Sequence, residues 1–307
     1  MISKTIFSKF KLWLLLILLL ESFITIPVLS IQLNNQSKKR IRKMPLKVIY
    51  LASEGFLFSC SDKKVIVDAL FDINVEEGLP PRLHDHLNSK QLLQLERGSS
   101  VFADIDLVLV THHHDDHFTP CIVNRFLAYN KNANLVCPHT AESLLKRQTK
   151  NYEAYGSRVK VVNINKGQTE SFKCKDIQIK VLGLVHAYSE YNRTDIASQP
   201  SYPHMAFYIQ IQNFKIVHLG DAHVSVANFS PFKWIATQNI DVALVPYWFI
   251  TKPEGLRIIG EYLNPEHVIV MHHHTGNRQE IKRRVINLKD KGWNLLMFCN
   301  YLQGKDF

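Results

Sequence analysis

Ile105-Asp106-Leu107-Val108-Leu109-Val110-Thr111 runs directly into His112-His113-His114-Asp115-Asp116-His117. Branched apolar residues with one charge among them read as a buried strand, and the strand ends at a cluster of metal-ligating side chains. In extended backbone His112 and His114, two positions apart, point the same way, and His113 between them points away. Asp116 and His117 follow where the chain turns toward a helix and can face a second centre nearby. Thr119 is expected to cap that helix and Pro120 to fill its first position. Imidazole and carboxylate donors suit zinc, and manganese or iron are compatible with them. A solvated polyhistidine tract fits poorly, because the cluster abuts an apolar strand and lies in the kind of strand-to-helix loop that carries function on α/β scaffolds.

Outward from this stretch, strand and helix patterns alternate. Short strands are expected at Leu46–Leu51, Gly55–Cys60 and Lys64–Asp68, antiparallel by their tight connections. A helix from Pro120 to about Asn130, a strand at 135–137 and a helix at 141–150 follow. Strands are then expected at 158–163, 169–174, 177–184, 206–212 and 215–219. The last third reads strand 241–246, helix 254–263, strand 267–271, helix 278–289 and strand 294–300. Two sheets with helices outside would bury these runs, which makes one α/β domain over 46–307. Further donors sit at strand ends: His186 after Val181-Leu-Gly-Leu-Val185, Asp221 after Ile216-Val-His-Leu-Gly220, and His272, His273 and His274 after Val268-Ile-Val-Met271. Taken together they are what a two-metal site with open positions requires.

The chain has 307 residues, 46% hydrophobic and 21% charged, so neither disorder nor a fibrous repeat is in question. Five cysteines without a C-x-x-C pair exclude a disulfide scaffold, and buried thiols are expected. The formal net charge is +10, but Lys4, Lys9, Lys11 and the run Lys38-Lys39-Arg40-Ile41-Arg42-Lys43 carry most of it. Residues 44–307 hold 29 basic against 26 acidic side chains, a net +3 that gives no support to a nucleic-acid surface on the folded body.

Three lysines followed by the apolar run Leu12–Leu20, with Val28-Leu29-Ser30 beyond it, read as a secretory signal peptide cleaved near Ser30. The alternative is an uncleaved anchor over Leu12–Leu29, with Glu21 tolerated in the span. The basic linker at 31–45 favours keeping that flank cytoplasmic. An exported or membrane-anchored protein, able to meet a membrane through residues 1–43, is therefore expected.

Thr111–His117 fits the T-H-x-H-x-D-H signature of the metallo-β-lactamase superfamily, which this chain resembles. Leu219-Gly220-Asp221 resembles the family's bridging-aspartate motif, and Val270-Met271-His272 its last histidine motif. Tyr50–Asp68, with Gly55-Phe56-Leu57 and Val65-Ile66-Val67-Asp68, is similar to the opening hairpin of the general metal-dependent hydrolase branch. The resemblance spans residues 46–300 and implies a four-layer αββα sandwich with two divalent metal ions, zinc foremost. It implies that His112, His114 and His186 hold the first metal and that Asp116, His117 and His272 hold the second. Asp221 then bridges as a catalytic carboxylate, and Asp116 handles protons as well as binding metal.

Departures from the pattern are visible too. Ala52-Ser53 stands where many relatives have Gly-His. His204 competes with His186, and His273 with His272. Asp68 is placed to orient a ligand imidazole, and His223 to stand behind the bridging aspartate. Asp115, His84 and His86 read as surface polar residues, and Pro246-Tyr247-Trp248-Phe249 as either a substrate mouth or core. The implied reaction is hydrolysis of an ester, lactone, amide or phosphodiester of a small-molecule or lipid substrate. A membrane-associated phospholipid phosphodiesterase and a non-catalytic metal-binding protein are the alternatives. A penicillin-type activity is disfavoured, because fold alone does not fix function and the motifs are those of the general branch.

Overall fold

In the computed structural model, which describes residues 44–72, 86–187 and 204–307, the strands divide between two sheets. The first contains β1 (Lys47–Ala52), β2 (Gly55–Cys60), β3 (Lys63–Val67), β4 (Leu107–Leu109), β5 (Asn134–Pro138), β6 (Val159–Val162) and β14 (Gly304–Asp306). The second contains β7 (Thr169–Cys174), β8 (Ile177–Leu184), β9 (His204–Ile211), β10 (Phe214–His218), β11 (Val242–Pro246), β12 (His267–Met271) and β13 (Leu295–Met297). Among the described residues each sheet is seven-stranded, in the orders β14-β1-β2-β3-β4-β5-β6 and β13-β12-β11-β10-β9-β8-β7.

Side-chain alternation builds the layers. Val48 and Tyr50 of β1, Phe56 and Phe58 of β2, and Leu107 and Leu109 of β4 point between the sheets. There they meet Ile177, Ile179, Phe207, Ile209, Ile216 and Leu244 of the second sheet. Their neighbours Ile49, Leu57, Ile66 and Val108 face outward onto α1 (Ser89–Glu96), α2 (Pro120–Tyr129) and α3 (His139–Gln148). Likewise Ala243, Val245, Val268 and Val270 face α4 (Val226–Phe229), α5 (Tyr247–Thr251), α6 (Pro253–Ile258) and α7 (Arg278–Asp290). Both faces of both sheets are thus covered, which is why these strands read as nearly continuous apolar runs. The αββα arrangement is the one expected.

Several elements differ from expectation. The helix expected over 254–263 is α6 followed by a π-helical stretch, Ile259–Leu263, which Asn264 ends in the left-handed region at φ 44°. Short polar β14 carries no apolar pattern and joins its sheet through backbone pairing with β1, Lys47 opposite Asp306. Thr119 precedes α2 without capping it; its Oγ1 accepts from the Asp72 amide at 3.0 Å instead, and Pro120 takes the first turn as expected. Cys60 and Cys137 are buried and the other three cysteines half-buried, all as thiols. The leader or anchor expected over 1–30, the basic linker to residue 43, and His84 lie outside the described residues.

The ends of β8 and β10 are held together by backbone and by one side chain. Ala187 N–H donates to Asp221 O at 2.6 Å and His223 N–H to Val185 O at 2.8 Å. Buried Asn228 completes the join: its Oδ1 accepts from Val185 N–H at 2.9 Å, and its Nδ2 donates to Val185 O and His223 O. Removing that amide strands buried backbone groups. Asn228→Ala is expected to lower the unfolding free energy by about 1–3 kcal/mol, measured by urea denaturation.

Candidate metal centre

Four strand ends and one turn deliver the site. His112, His114, Asp116 and His117 follow β4, His186 follows β8, Asp221 follows β10 and His272 follows β12. Glu54 comes from the two-residue turn between β1 and β2. The donors form two groups: His112, His114, His186 and Asp221 in one, and Glu54, Asp116, His117 and His272 in the other. Within each group the ligand atoms lie within 4.8 Å of one another.

In the first group His112 Nε2 lies 2.8 Å from His114 Nδ1 and 3.1 Å from His186 Nε2, with Asp221 Oδ2 3.5 Å from His186 Nε2. In the second, His117 Nε2 is 3.4 Å from Glu54 Oε2 and 3.8 Å from Asp116 Oδ1. His272 Nε2 is 2.9 Å from Glu54 Oε1 and 3.7 Å from Asp116 Oδ2. Metal bonds of about 2.0–2.1 Å set donor-to-donor edges of roughly 3.3 Å in a tetrahedral site, so both groups have the spacing an ion needs. Asp221 stands between them, with Oδ1 3.5 Å from His117 Nε2 and Oδ2 3.3 Å from His272 Nε2.

Atoms that point at these two centres are otherwise unsatisfied. Both carboxylate oxygens of Glu54, His117 Nε2 and Asp221 Oδ1 are buried and accept or donate no hydrogen bond among the described residues. Buried polar groups left in this state are costly, and a cation on each centre would satisfy them together. The donor set therefore fits divalent metal.

Ring orientation is settled behind the donors by Asp68 and Thr111. Asp68 is fully buried; its Oδ1 accepts from Thr111 N–H at 2.8 Å and its Oδ2 from the Thr111 hydroxyl at 2.6 Å. With that hydroxyl proton committed, Thr111 Oγ1 accepts from His112 Nδ1–H at 3.0 Å, and His112 Nε2 presents its lone pair to the centre. His117 Nδ1 donates to Asp68 Oδ2 at 2.9 Å, with the same effect on its Nε2. The expectation that Asp68 orients a ring therefore corresponds to a direct contact with His117 and, through Thr111, an indirect one with His112.

Left-handed backbone aims several of these residues. Ser53 (φ 46°), Gly220 (φ 51°) and His272 (φ 58°) each turn the chain at or immediately before a donor, and Asp68 (φ 47°) turns it at the carboxylate behind them. At Gly220 a Cβ would come within 2.8 Å of His204 Nε2 and Thr111 Cγ2, so only glycine brings Asp221 in. Buried His218 ties the second sheet to the Glu54 turn. Its Nδ1 accepts from Gly220 N–H at 3.2 Å, so its Nε2–H donates to Glu54 O at 2.9 Å.

The electrostatics follow from burial and mutual proximity. Burial, then the charges of His186 and His117, lower the His114 pKa to about 4, and burial holds that of His112 well below the usual range. Both imidazoles are neutral near neutral pH, the form that binds metal. Burial opposes charge on His117 and His272, yet the surrounding carboxylates hold both well above the usual imidazole value. Burial raises Glu54, partly offset by His272 and His117. Burial also works against charge on Asp221, but His272 and His117 outweigh it and keep its carboxyl well below the ordinary range.

All seven strand-end residues singled out in the sequence meet here. The competitors are placed elsewhere. His273 is buried between the sheets and donates from Nε2 to Phe298 O at 2.8 Å. His204 lies behind the first group, its ring 5.4 Å from that of His112 and 5.6 Å from that of His186. His113, His223 and Asp115 belong to neither group. The aromatic run divides: Phe249 is core, whereas half-buried Trp248 sets its ring edge-on 4.9 Å from that of His272. Glu54 was missed. Ser53-Glu54 between two strands has the look of an ordinary solvent turn, and the one signal was the Ala52-Ser53 departure immediately before it.

No curated protein sequence matches the chain. Solved structures do, at low identity, and they establish the fold. A metallo hydrolase from the hyperthermophilic archaeon Ignicoccus hospitalis is 17% identical, with a TM-score of 0.57 over 86% of this chain and 98% of its own. An isothiocyanate hydrolase from Delia radicum gut bacteria is 13% identical, with a TM-score of 0.55 over 85% of this chain and 98% of its own. A diiron beta-hydroxylase from Streptomyces venezuelae is 14% identical, with a TM-score of 0.52 over 86% of this chain and 54% of its own. The model of the beta-lactamase superfamily domain matches residues 47–272, from β1 through the last strand-end histidine. On that match, carried by the sandwich and by every strand end that delivers a donor, this chain belongs to the beta-lactamase superfamily.

Proposed function

We propose that this protein is a hydrolase that holds two divalent metal ions and directs water onto an ester, lactone, amide or phosphodiester. The observation that carries the reading is the Asp221 carboxylate, with one oxygen toward His117 and the other toward His186 and His272, between two donor groups at metal-ligand spacing. His112, His114 and His186 hold the first ion, and Asp116, His117 and His272 the second. Two such ions supply Lewis acidity toward the scissile group and lower the pKa of bound water to about 7.

The chain's own groups do the rest. Asp116, 8% exposed beside His117 and His272, is the carboxylate placed to take up a proton and return it to the leaving group. Asp68 and Thr111 keep two ligand rings in the tautomer that offers Nε2. Trp248, whose Nε1–H is anchored on Ala222 O at 3.0 Å, lends an apolar wall beside His272. The first group, three imidazoles and a carboxylate, suits zinc.

Membrane phospholipid is the substrate class favoured by the apolar run and basic cluster within residues 1–43, which would place the domain at a membrane surface or export it. Assays on lactones, β-lactams and phosphodiesters, with vesicle phospholipid as one arm, separate these readings. Hydrolysis of none of them by metal-loaded protein would leave the phosphodiesterase reading without support.

Two variant sets test the assignment. His114→Ala is expected to lose bound metal and nearly all hydrolysis, with His272→Ala and Asp221→Ala as severe. His113→Ala should cost at most about 10–100-fold, as for a residue behind the ligands. Metal content and rate measured across the four variants decide; a full site in His114→Ala with an empty one in His113→Ala would overturn the register. Separately, Asp68→Asn replaces an acceptor of three hydrogen bonds by an amide. It should weaken metal binding by about 10–100-fold in chelator competition without unfolding the protein.

A further inference from the structure

We infer that Glu54 is a ligand of the second metal position and makes that position a manganese- or iron-type site beside a zinc-type first position. The inference rests on the two-metal reading above and adds what the pairing of donors says about the ions themselves.

Glu54 is completely buried, and its two oxygens accept no hydrogen bond among the described residues. They lie 3.4 Å from His117 Nε2 and 2.9 Å from His272 Nε2, the ring nitrogens through which those residues would hold an ion. The turn is not free to swing out. Its carbonyl is held by His218 Nε2, and Ser53 O accepts from His272 N–H at 3.3 Å. Without metal, the raised His117 and His272 balance this buried carboxylate; an ion in place of their protons would sit at the position that Glu54 shares with Asp116, His117 and His272, the second centre.

Counting Glu54 changes the chemistry of that centre. It now offers three carboxylates (Glu54, Asp116 and the shared Asp221) and two imidazoles (His117 and His272). Zinc sites with protein donors are almost always four-coordinate and rich in nitrogen or sulfur. Five donors dominated by carboxylate oxygen suit a larger ion with a six-coordinate preference, such as manganese(II) or iron(II), and leave room for one more ligand. The first position keeps three imidazoles and one carboxylate, the zinc pattern. Raw affinity for zinc exceeds that for manganese at most sites, so the difference between the two positions is expected in their relative preference.

The test uses the full chain, freed of metal, given one equivalent of zinc and then titrated with manganese(II). Free manganese is counted from its six-line electron paramagnetic resonance signal, and bound metal by elemental analysis. Wild-type protein is expected to take up one manganese per chain while keeping its zinc. Glu54→Gln, which preserves size and removes the charge, should keep the zinc and bind manganese roughly 100-fold more weakly, at or beyond the loss caused by an outer partner of a ligand. Glu54→Asp, which keeps the charge on a shorter arm, should recover part of that affinity. Circular dichroism on each variant shows whether it has folded, and the wild-type titration stands independently of the variants. Glu54→Gln binding manganese as tightly as wild type would overturn the inference. So would wild-type protein that keeps its one equivalent of zinc and takes up no manganese. Folded wild-type protein that binds neither ion would overturn the two-metal reading itself, which distinguishes the two failures.

Discussion

Five imidazoles and three carboxylates converge, mostly buried, in two groups between which Asp221 stands, and the architecture around them holds that convergence. Without cations such a cluster is electrostatically costly: buried oxygens of Glu54 and Asp221 lack hydrogen bonds, and ring nitrogens of His112 and His114 approach to 2.8 Å. Thr111 and Asp68 hold the His112 and His117 rings, and His218 holds the Glu54 turn. On the two-metal reading, preorganisation of this kind would cost folding stability and return it as metal affinity.

Three devices do the fixing. Left-handed residues at Ser53, Asp68, Gly220 and His272 turn the chain sharply at strand ends, so that side chains leave the sheets toward a common point. Asp68 serves two ligands from one carboxylate by using Thr111 as an intermediary, which settles two tautomers at once. His218 and Asn228 join loops that are far apart in sequence: the Glu54 turn to Gly220, and the His186 end to the His223 end. Neither His218 nor Asn228 carries a motif. Their roles appear only when the two sheets face each other.

What could be read from the sequence tracks how local the cause is. Thr111–His117 encodes its own geometry, because alternation along an extended strand end decides which rings share a side. The sandwich followed from apolar runs that alternate between inter-sheet and helix-facing positions. Choosing His272 over His273 depended on a positive φ that alternation does not announce, and choosing His186 over His204 on which loop β10 pairs with. The Thr119 hydroxyl stands before Pro120 where a cap would, but a tertiary donor, the Asp72 amide, takes it. Glu54 was out of reach for the same reason. An acidic residue in a hairpin turn is ordinarily solvated, and only β10 and β12 of the other sheet make this turn the floor of a buried cleft.

The central claim is that the two donor groups are two metal positions sharing Asp221. Anomalous diffraction from crystals of the metal-loaded protein, recorded at the zinc and manganese or iron edges, addresses it most directly. The account predicts two anomalous peaks about 3.5–4 Å apart. One would be enclosed by His112, His114 and His186, and the other by Glu54, Asp116, His117 and His272, with an oxygen of Asp221 on each. A single peak, or a second ion ligated outside this donor set with Glu54 turned away from it, would contradict the account.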